Sequence, residues 1–254
     1  RKSPRIAASR ERGRKWRLGV SDDRSRTGTG VPSYAGMMAD YHKAFGPELR
    51  SVIAATGMGP GMKVVDVACG DGSYSRWLAE AVGPKGEVVA VDLSPAFLDQ
   101  ARAAVRNGSV QDRVRLVRMD LDHSPLASGF ADLVWCAQSL YSLSDPIEAI
   151  RRMAVLARPD GRIAVFEDDE LHHVTLPWPV DLELAIRSAQ LHSFQTVSNE
   201  PRKFYLARDL PRAFREAGLQ CDEVHSFAFT RRAPFDPPTR GFLEAYLAEI
   251  GRAS

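Results

Sequence analysis

The stretch VVDVACGDGSYSRWLA, residues 64–79, decides the fold. A β-branched apolar run ends at Ala68, turns through Gly70 and Gly72, and passes directly into a segment with Tyr74, Trp77, Leu78, Ala81 and Val82 at helical spacing. Two glycines in such a turn bring bare backbone close to a ligand, and the helix start beyond Ser73 is expected to offer unpaired amides. Asp92 closes the next β-branched run, where a carboxylate can accept both hydroxyls of a ribose. The unit reads as strand, loop and helix built for a nucleoside-containing ligand.

Outward from this unit the same alternation continues. Strands are expected at KVVDVA (63–68), EVVAVDL (87–93), VRLVRMD (114–120), ADLVWCA (131–137) and RIAVFED (162–168), several of them apolar on both faces as buried parallel strands are. Helices fall between them, one marked by Phe97, Leu98, Ala101, Ala104 and Val105 and another by Ile147, Ile150, Ala154 and Ala157. Ser94-Pro95 and Asp145-Pro146 read as cap and first-turn pairs, and Gly83, Gly108 and Gly161 are expected to end elements. Repeated strand–helix–strand units predict an α/β, doubly wound, mostly parallel sheet with helices on both faces. Two helices precede it, one with Tyr34, Met37, Met38 and Tyr41 and one after Pro47. Behind it come helices around Leu182–Ala189, Leu210–Ala217 and Phe242–Ile250, with a strand-like run from Leu219 to Thr230. A second C-terminal strand is expected either at Lys203–Ala207 or beyond a chain that stops short of its natural end.

Composition sets the frame. The 254 residues, 44% hydrophobic and 26% charged, exclude collagen-like, disulfide-scaffold and wholly disordered chains. No apolar run approaches the roughly 20 residues of a membrane-spanning helix. Cys69, Cys136 and Cys221 are scattered and odd in number, in no zinc-ligand spacing, which suggests a reducing, cytoplasmic setting and no metal. Residues 1–17 hold eight Lys or Arg against one Glu, so the remainder is acidic although the whole chain carries +2. Residues 1–30 are therefore read as a basic, flexible arm and residues 31–254 as one domain with a cap region near 168–207. The arm could meet nucleic acid or acidic lipid, but a solvated tail is the simpler reading, and the acidic body disfavours nucleic acid.

Asp66 chooses between the two kinds of nucleoside ligand. It interrupts an apolar strand four residues before Gly70, where a buried anion would oppose a pyrophosphate but suit a ligand carrying ammonium and sulfonium charges. Asp71, Asp92 and Asp120 add to the same side of the balance. Here the chain resembles the class I S-adenosylmethionine-dependent methyltransferases, in the small-molecule branch that includes the ubiquinone and menaquinone biosynthesis type. The resemblance spans about residues 34–230. It rests on DVACGDG (66–72), VDLS (91–94), MDLDHSPL (119–126), FADLVWCAQSLYSLSDP (130–146) and LARPDGRIAVFED (156–168).

The resemblance implies a Rossmann-like sheet of the seven-stranded type and S-adenosyl-L-methionine as cofactor, with S-adenosyl-L-homocysteine as product. It implies that Ala68, Gly70 and Gly72 frame the methionine end beside Asp66, that Asp92 with Leu93 holds the ribose, and that Asp120 and Leu121 flank the adenine. Cys136 to Gln138 would lie beneath the sulfonium, and Tyr34 and Tyr41 would close over the cofactor. Ala68 departs from the Gly that many members carry, a change expected to leave binding intact.

The acceptor region is less legible. Gln138 and Tyr141 follow the fourth strand at its carboxyl end, and Glu167, Asp168, His172, His173 and Trp178 follow the fifth. Tyr141, Glu167, Asp168 and Trp178 are the expected substrate contacts, and His172 or His173 the candidate base, since imidazole titrates in the useful range. Cys136, Ala137, Gln138 and Ser139 lack the Asn/Asp-Pro-Pro-aromatic signature of many nucleic-acid amino-methyltransferases. The expected activity is methyl transfer to oxygen, nitrogen or carbon of a small apolar or aromatic metabolite. The alternatives are an NAD-dependent oxidoreductase and a methyltransferase or binding protein acting on RNA or protein through the basic arm. Oligomeric state is not legible.

Overall fold

Neighbouring residues in the central strands are apolar on opposite sides, and each side meets its own layer of helices. The computed structural model describes residues 30–31, 34–123, 126–170, 172, 174–197 and 205–253. The basic arm expected over residues 1–30 lies outside them except for Gly30. Strands β1 (Lys63–Val67), β2 (Glu87–Asp92), β3 (Val114–Arg118), β4 (Ala131–Ala137) and β5 (Ala157–Phe166) pair in parallel in the order β3-β2-β1-β4-β5. The order reverses between β1 and β4, so a crevice opens beyond their carboxyl ends.

The helices are α1 (Ala35–Ala44), α2 (Gly46–Ala55), α3 (Ser73–Val82), α4 (Pro95–Asn107), α5 (Pro146–Leu156), α6 (Val180–Val197), α7 (Leu206–Glu216) and α8 (Pro237–Ala253). Val64, Val88, Leu133 and Trp135 pack with Leu49 and Ile53 of α2 and Trp77 and Leu78 of α3. Val65, Val89, Val134 and Cys136 point the other way, onto Ile150 and Met153 of α5 and Ala213 of α7. A strand shifted by one residue would exchange these two sets, and the pairing of Asp66 with Ala90 and Trp135 fixes the register that places them. The expected caps hold: Ser94 Oγ accepts from Phe97 N at 3.4 Å, and Asp145 Oδ1 accepts from Ile147 N and Glu148 N at 3.0 and 2.9 Å.

Three expectations are corrected. Gly161 does not end an element: it lies inside β5, beside the register shift between Ala131 and Leu133, where an added Cβ would stand 2.8 Å from the Ala131 carbonyl oxygen. The run Leu219–Thr230 forms no strand. Side chains hold it instead, Phe229 stacking on Phe45 at 5.8 Å and the following Arg231 pairing with Glu48 at 2.5 Å, across a groove of about 1390 Å³ from β5. Lys203–Ala207 supplies no strand among the described residues, because Ala207 belongs to α7. The sheet therefore has five strands among the described residues instead of seven. Leu182 and Ala185 of α6 face solvent, the buried side of that helix being formed by Gln190 and Phe194.

Gly72 is where the loop can least tolerate a side chain. Its φ is +78° and a Cβ would meet the Ala101 backbone at 2.6 Å, whereas Gly83, with φ +65°, faces open space. A positive φ alone costs an L-residue about 1 kcal/mol, and a backbone clash adds to it. Gly72→Ala is expected to lower stability by at least about 2 kcal/mol in urea unfolding and Gly83→Ala by about 1 kcal/mol. Equal losses would contradict the close approach of α3 and α4.

Candidate functional site

The turn after β1 is built from left-handed residues, Ala68 at φ +55°, Gly70 at +52° and Gly72 at +78°. Cys69 N continues the ladder to Val91 O at 3.0 Å. Gly70 N then donates to Asp92 Oδ2 at 3.0 Å, and Asp92 Oδ1 accepts from Ser94 N at 2.8 Å. Asp71 caps α3 by accepting from Ser73 N at 2.9 Å, and its other oxygen meets His42 Nδ1 of α1 at 3.0 Å. The loop amides at Gly70, Gly72 and Ser73 are thus already engaged, Gly72 N by Cys69 O at 3.0 Å. Beyond Ser73, where open amides were expected, no bond engages the Tyr74 or Ser75 amide among the described residues. An anionic phosphate would find Asp71 where donors would be needed.

Asp66 lies beneath this turn, 2% exposed, accepting from Ser75 Oγ at 2.6 Å. Burial, only partly offset by that hydroxyl, pushes its carboxyl up to about 7. Burial also raises Asp92, against the amides of Ser94 and Gly70 that favour its charge. For Asp71, burial pushes upward but the hydrogen bond and charge of His42 carry the carboxyl below the usual range.

At the end of β4, Gln138 adopts φ +51° and its N–H donates to Phe166 O at 2.7 Å. Its side chain accepts from Tyr74 Oη at 3.0 Å and donates to Asp168 Oδ2 at 2.6 Å, linking α3, β4 and the end of β5. Glu167 accepts from Ser139 N and Leu140 N at 3.1 and 2.6 Å. Burial, partly offset by the Leu140 amide, raises its carboxyl to about 8. Together these turns open a cavity of about 380 Å³.

Of the expected cofactor contacts, Tyr34, Tyr41, Ala68, Gly70, Asp92, Leu93, Asp120, Leu121 and Gln138 line this cavity. Asp66, Gly72 and Cys136 do not: Asp66 supports the loop from below, Gly72 admits α4, and Cys136 is buried against α5. Tyr141 and Asp168 line it as expected of substrate contacts. Glu167 instead fixes the turn after β4, and Trp178 is not part of the wall. His172 is exposed in the groove beside β5, its Nδ1 2.7 Å from Arg208, which also binds Asp169 at 2.9 Å. His173 lies outside the described residues. His172 therefore does not line the cavity in which it was expected to act as a base.

Sequence reading missed His42, Ser94, Phe97, Met119 and the C-terminal lid of Phe242, Tyr246 and Ile250. The helical stripe of α8 was visible, but its docking against α1 was not, since nothing local encodes a contact two hundred residues away. Phe242 meets Tyr41 with ring centroids 5.3 Å apart. The lid thus extends past the expected cap region.

The sheet order, the switch-point crevice and the acid behind the glycine loop define a nucleoside-binding α/β domain. Residues 65–165 match the family described as "Methyltransferase domain". The ubiquinone/menaquinone biosynthesis C-methyltransferase UbiE of Shewanella sp. (strain W3-18-1) is 30% identical over 133 residues, 52% of this chain and 53% of that protein. Its counterpart in Ectopseudomonas mendocina (strain ymp) is 33% identical over 118 residues, 46% of each. The chain spans about half the length of these curated relatives. A SAM dependent methyltransferase from Aquifex aeolicus shares the fold, with a TM-score of 0.53 at 19% identity over 72% of this chain and 87% of that one. Residues 65–165 thus carry the match to a methyltransferase domain, and the likeness to the Aquifex aeolicus protein is one of fold.

Asp66 and Glu167 hold protons in the fold at pH values where the unfolded chain has lost them. Their stabilisation is complete below about pH 4 and is lost as pH rises through about 7 to 8. The ligand-free protein is expected to lose stability between pH 5 and pH 8, and Asp66→Asn to flatten that loss by about 2 kcal/mol. Urea unfolding across this range with an unchanged slope in the variant would remove Asp66 as a source of the dependence.

Proposed function

We propose that the chain is an S-adenosylmethionine-dependent methyltransferase that moves a methyl group to oxygen, nitrogen or carbon of a small, apolar or aromatic metabolite. One observation carries this reading. The crevice holds Asp71, Asp92 and Asp120 on its walls, and no lysine or arginine lines it among the described residues. Such a site suits a cationic nucleoside and opposes the paired phosphates of a dinucleotide.

In this reading Asp92 holds the ribose, Asp120 and Leu121 flank the adenine, and Gly70 and Asp71 face the methionine ammonium. Bound there, S-adenosylmethionine supplies an electrophilic methyl group on a sulfonium. Gln138 is held from both ends by Tyr74 and Asp168, so its amide cannot turn, which supports a role in orienting the reacting end. Tyr34 just before α1 and Tyr41 within it, with Tyr246 and Phe242 from α8, exclude water from above. No helix among the described residues is long and apolar enough to cross a membrane. The aromatic lid supports a small acceptor over a macromolecule, and the free cysteines Cys69, Cys136 and Cys221 support a cytoplasmic setting.

Titration calorimetry tests the reading. S-adenosylhomocysteine is expected to bind and NADH to give no heat, and Asp92→Asn is expected to weaken S-adenosylhomocysteine at least tenfold with little change in melting temperature. NADH binding in place of S-adenosylhomocysteine would establish the oxidoreductase alternative.

A further inference from the structure

We infer that the methyl acceptor is an amine, recognised by the Asp168 carboxylate within a ring of neutral aromatic side chains. The inference rests on the methyltransferase reading above and narrows its acceptor.

Asp168 stands just beyond β5 on the wall of the 380 Å³ cavity. Its Oδ2 accepts from Gln138 Nε2 at 2.6 Å, and Gln138 in turn takes the Tyr74 hydroxyl at 3.0 Å. That chain fixes the amide so that its NH₂ faces Asp168. Among the described residues Asp168 Oδ1 has no hydrogen-bond partner and no lysine or arginine pairs with this carboxylate. A carboxylate partnered by a neutral amide can accept a further, charged donor from the cavity.

The surroundings select what that donor is. Tyr41, Tyr141, Phe194, Phe242 and Tyr246 line the same cavity. Burial first, and neighbouring acids after it, hold the Tyr41 and Tyr141 phenols above their ordinary range, so these rings are neutral and present π faces. Glu249 adds a further acid to the wall. Arg187 does not itself line the cavity: it binds Glu183 and Gln190, each at 3.2 Å, and bears on the lining Tyr246 hydroxyl. A carboxylate or phosphate acceptor would meet charge of its own sign here. An alkylammonium meets a carboxylate and aromatic faces together.

The chemistry balances without a further reagent. The bound ammonium gives one N–H proton to Asp168, which passes it to water. The freed nitrogen lone pair forms the N–C bond to the sulfonium methyl as the C–S bond breaks. The sulfur keeps the bonding pair as a thioether, and the product leaves as a methylated ammonium.

Three probes with one skeleton and different charge test the inference on the full chain saturated with S-adenosylhomocysteine: phenethylamine, 2-phenylethanol and 3-phenylpropanoate. By calorimetry the amine is expected to bind at least tenfold more tightly than the alcohol, and the propanoate most weakly. Asp168→Asn is expected to remove the amine's advantage while S-adenosylhomocysteine affinity stays within twofold. Preference for the alcohol or the propanoate, binding of none of the three, or an advantage that survives Asp168→Asn overturns the amine assignment and leaves the methyltransferase reading standing. Failure of S-adenosylhomocysteine itself to bind overturns that reading and this one with it.

Discussion

Asp92 accepts the amides of Gly70 and Ser94, and this one carboxylate ties the turn after β1 to the start of α4. The bond does two things at once. It holds Gly70 in its left-handed conformation at the mouth of the crevice, and it engages the Gly70 amide. Asp71 engages the Ser73 amide at the start of α3 and lines the cavity, so the loop brings carboxylates to the crevice wall. In the proposed reading the sign of the charge the crevice accepts follows from the acids on its wall more than from the fold, which serves both kinds of ligand.

Beneath the loop, Asp66 and Ser75 replace what could have been an apolar contact. A carboxyl 2% exposed and raised to about 7 is costly to ionise, and Ser75 Oγ at 2.6 Å is the bond that keeps it in place. Glu167 has the same relation to the turn after β4, where it collects two amides at the end of the neighbouring strand. The two buried acids brace the paired strand ends that form the switch point, one under each rim of the crevice. They therefore act on ligand binding through the shape of the turns, without touching the cavity.

Local chemistry made much of this legible. The doubly apolar strands, the Ser94-Pro95 and Asp145-Pro146 caps and the glycine turn are each encoded within a few residues, and each stands where the sequence puts it. What failed depends on contacts distant in sequence. Gly161 has the look of a terminator but serves a bulge set by Ala131, and Leu219–Thr230 has strand character yet is held by Phe45 and Glu48 across a groove. His172 has the right chemistry for a base, but Arg208 of α7 holds it in a different cavity. His42 and the α8 lid were missed for the same reason, because a helical stripe tells which face is buried and not what it is buried against.

The central claim is that the crevice between β1 and β4 takes a cationic sulfur nucleoside by its ribose. A crystal structure with S-adenosylhomocysteine measures this directly. The account predicts both ribose hydroxyls on the Asp92 carboxylate and the sulfur facing Gln138. Ribose density away from Asp92, or a pyrophosphate seated on Gly70, would contradict it.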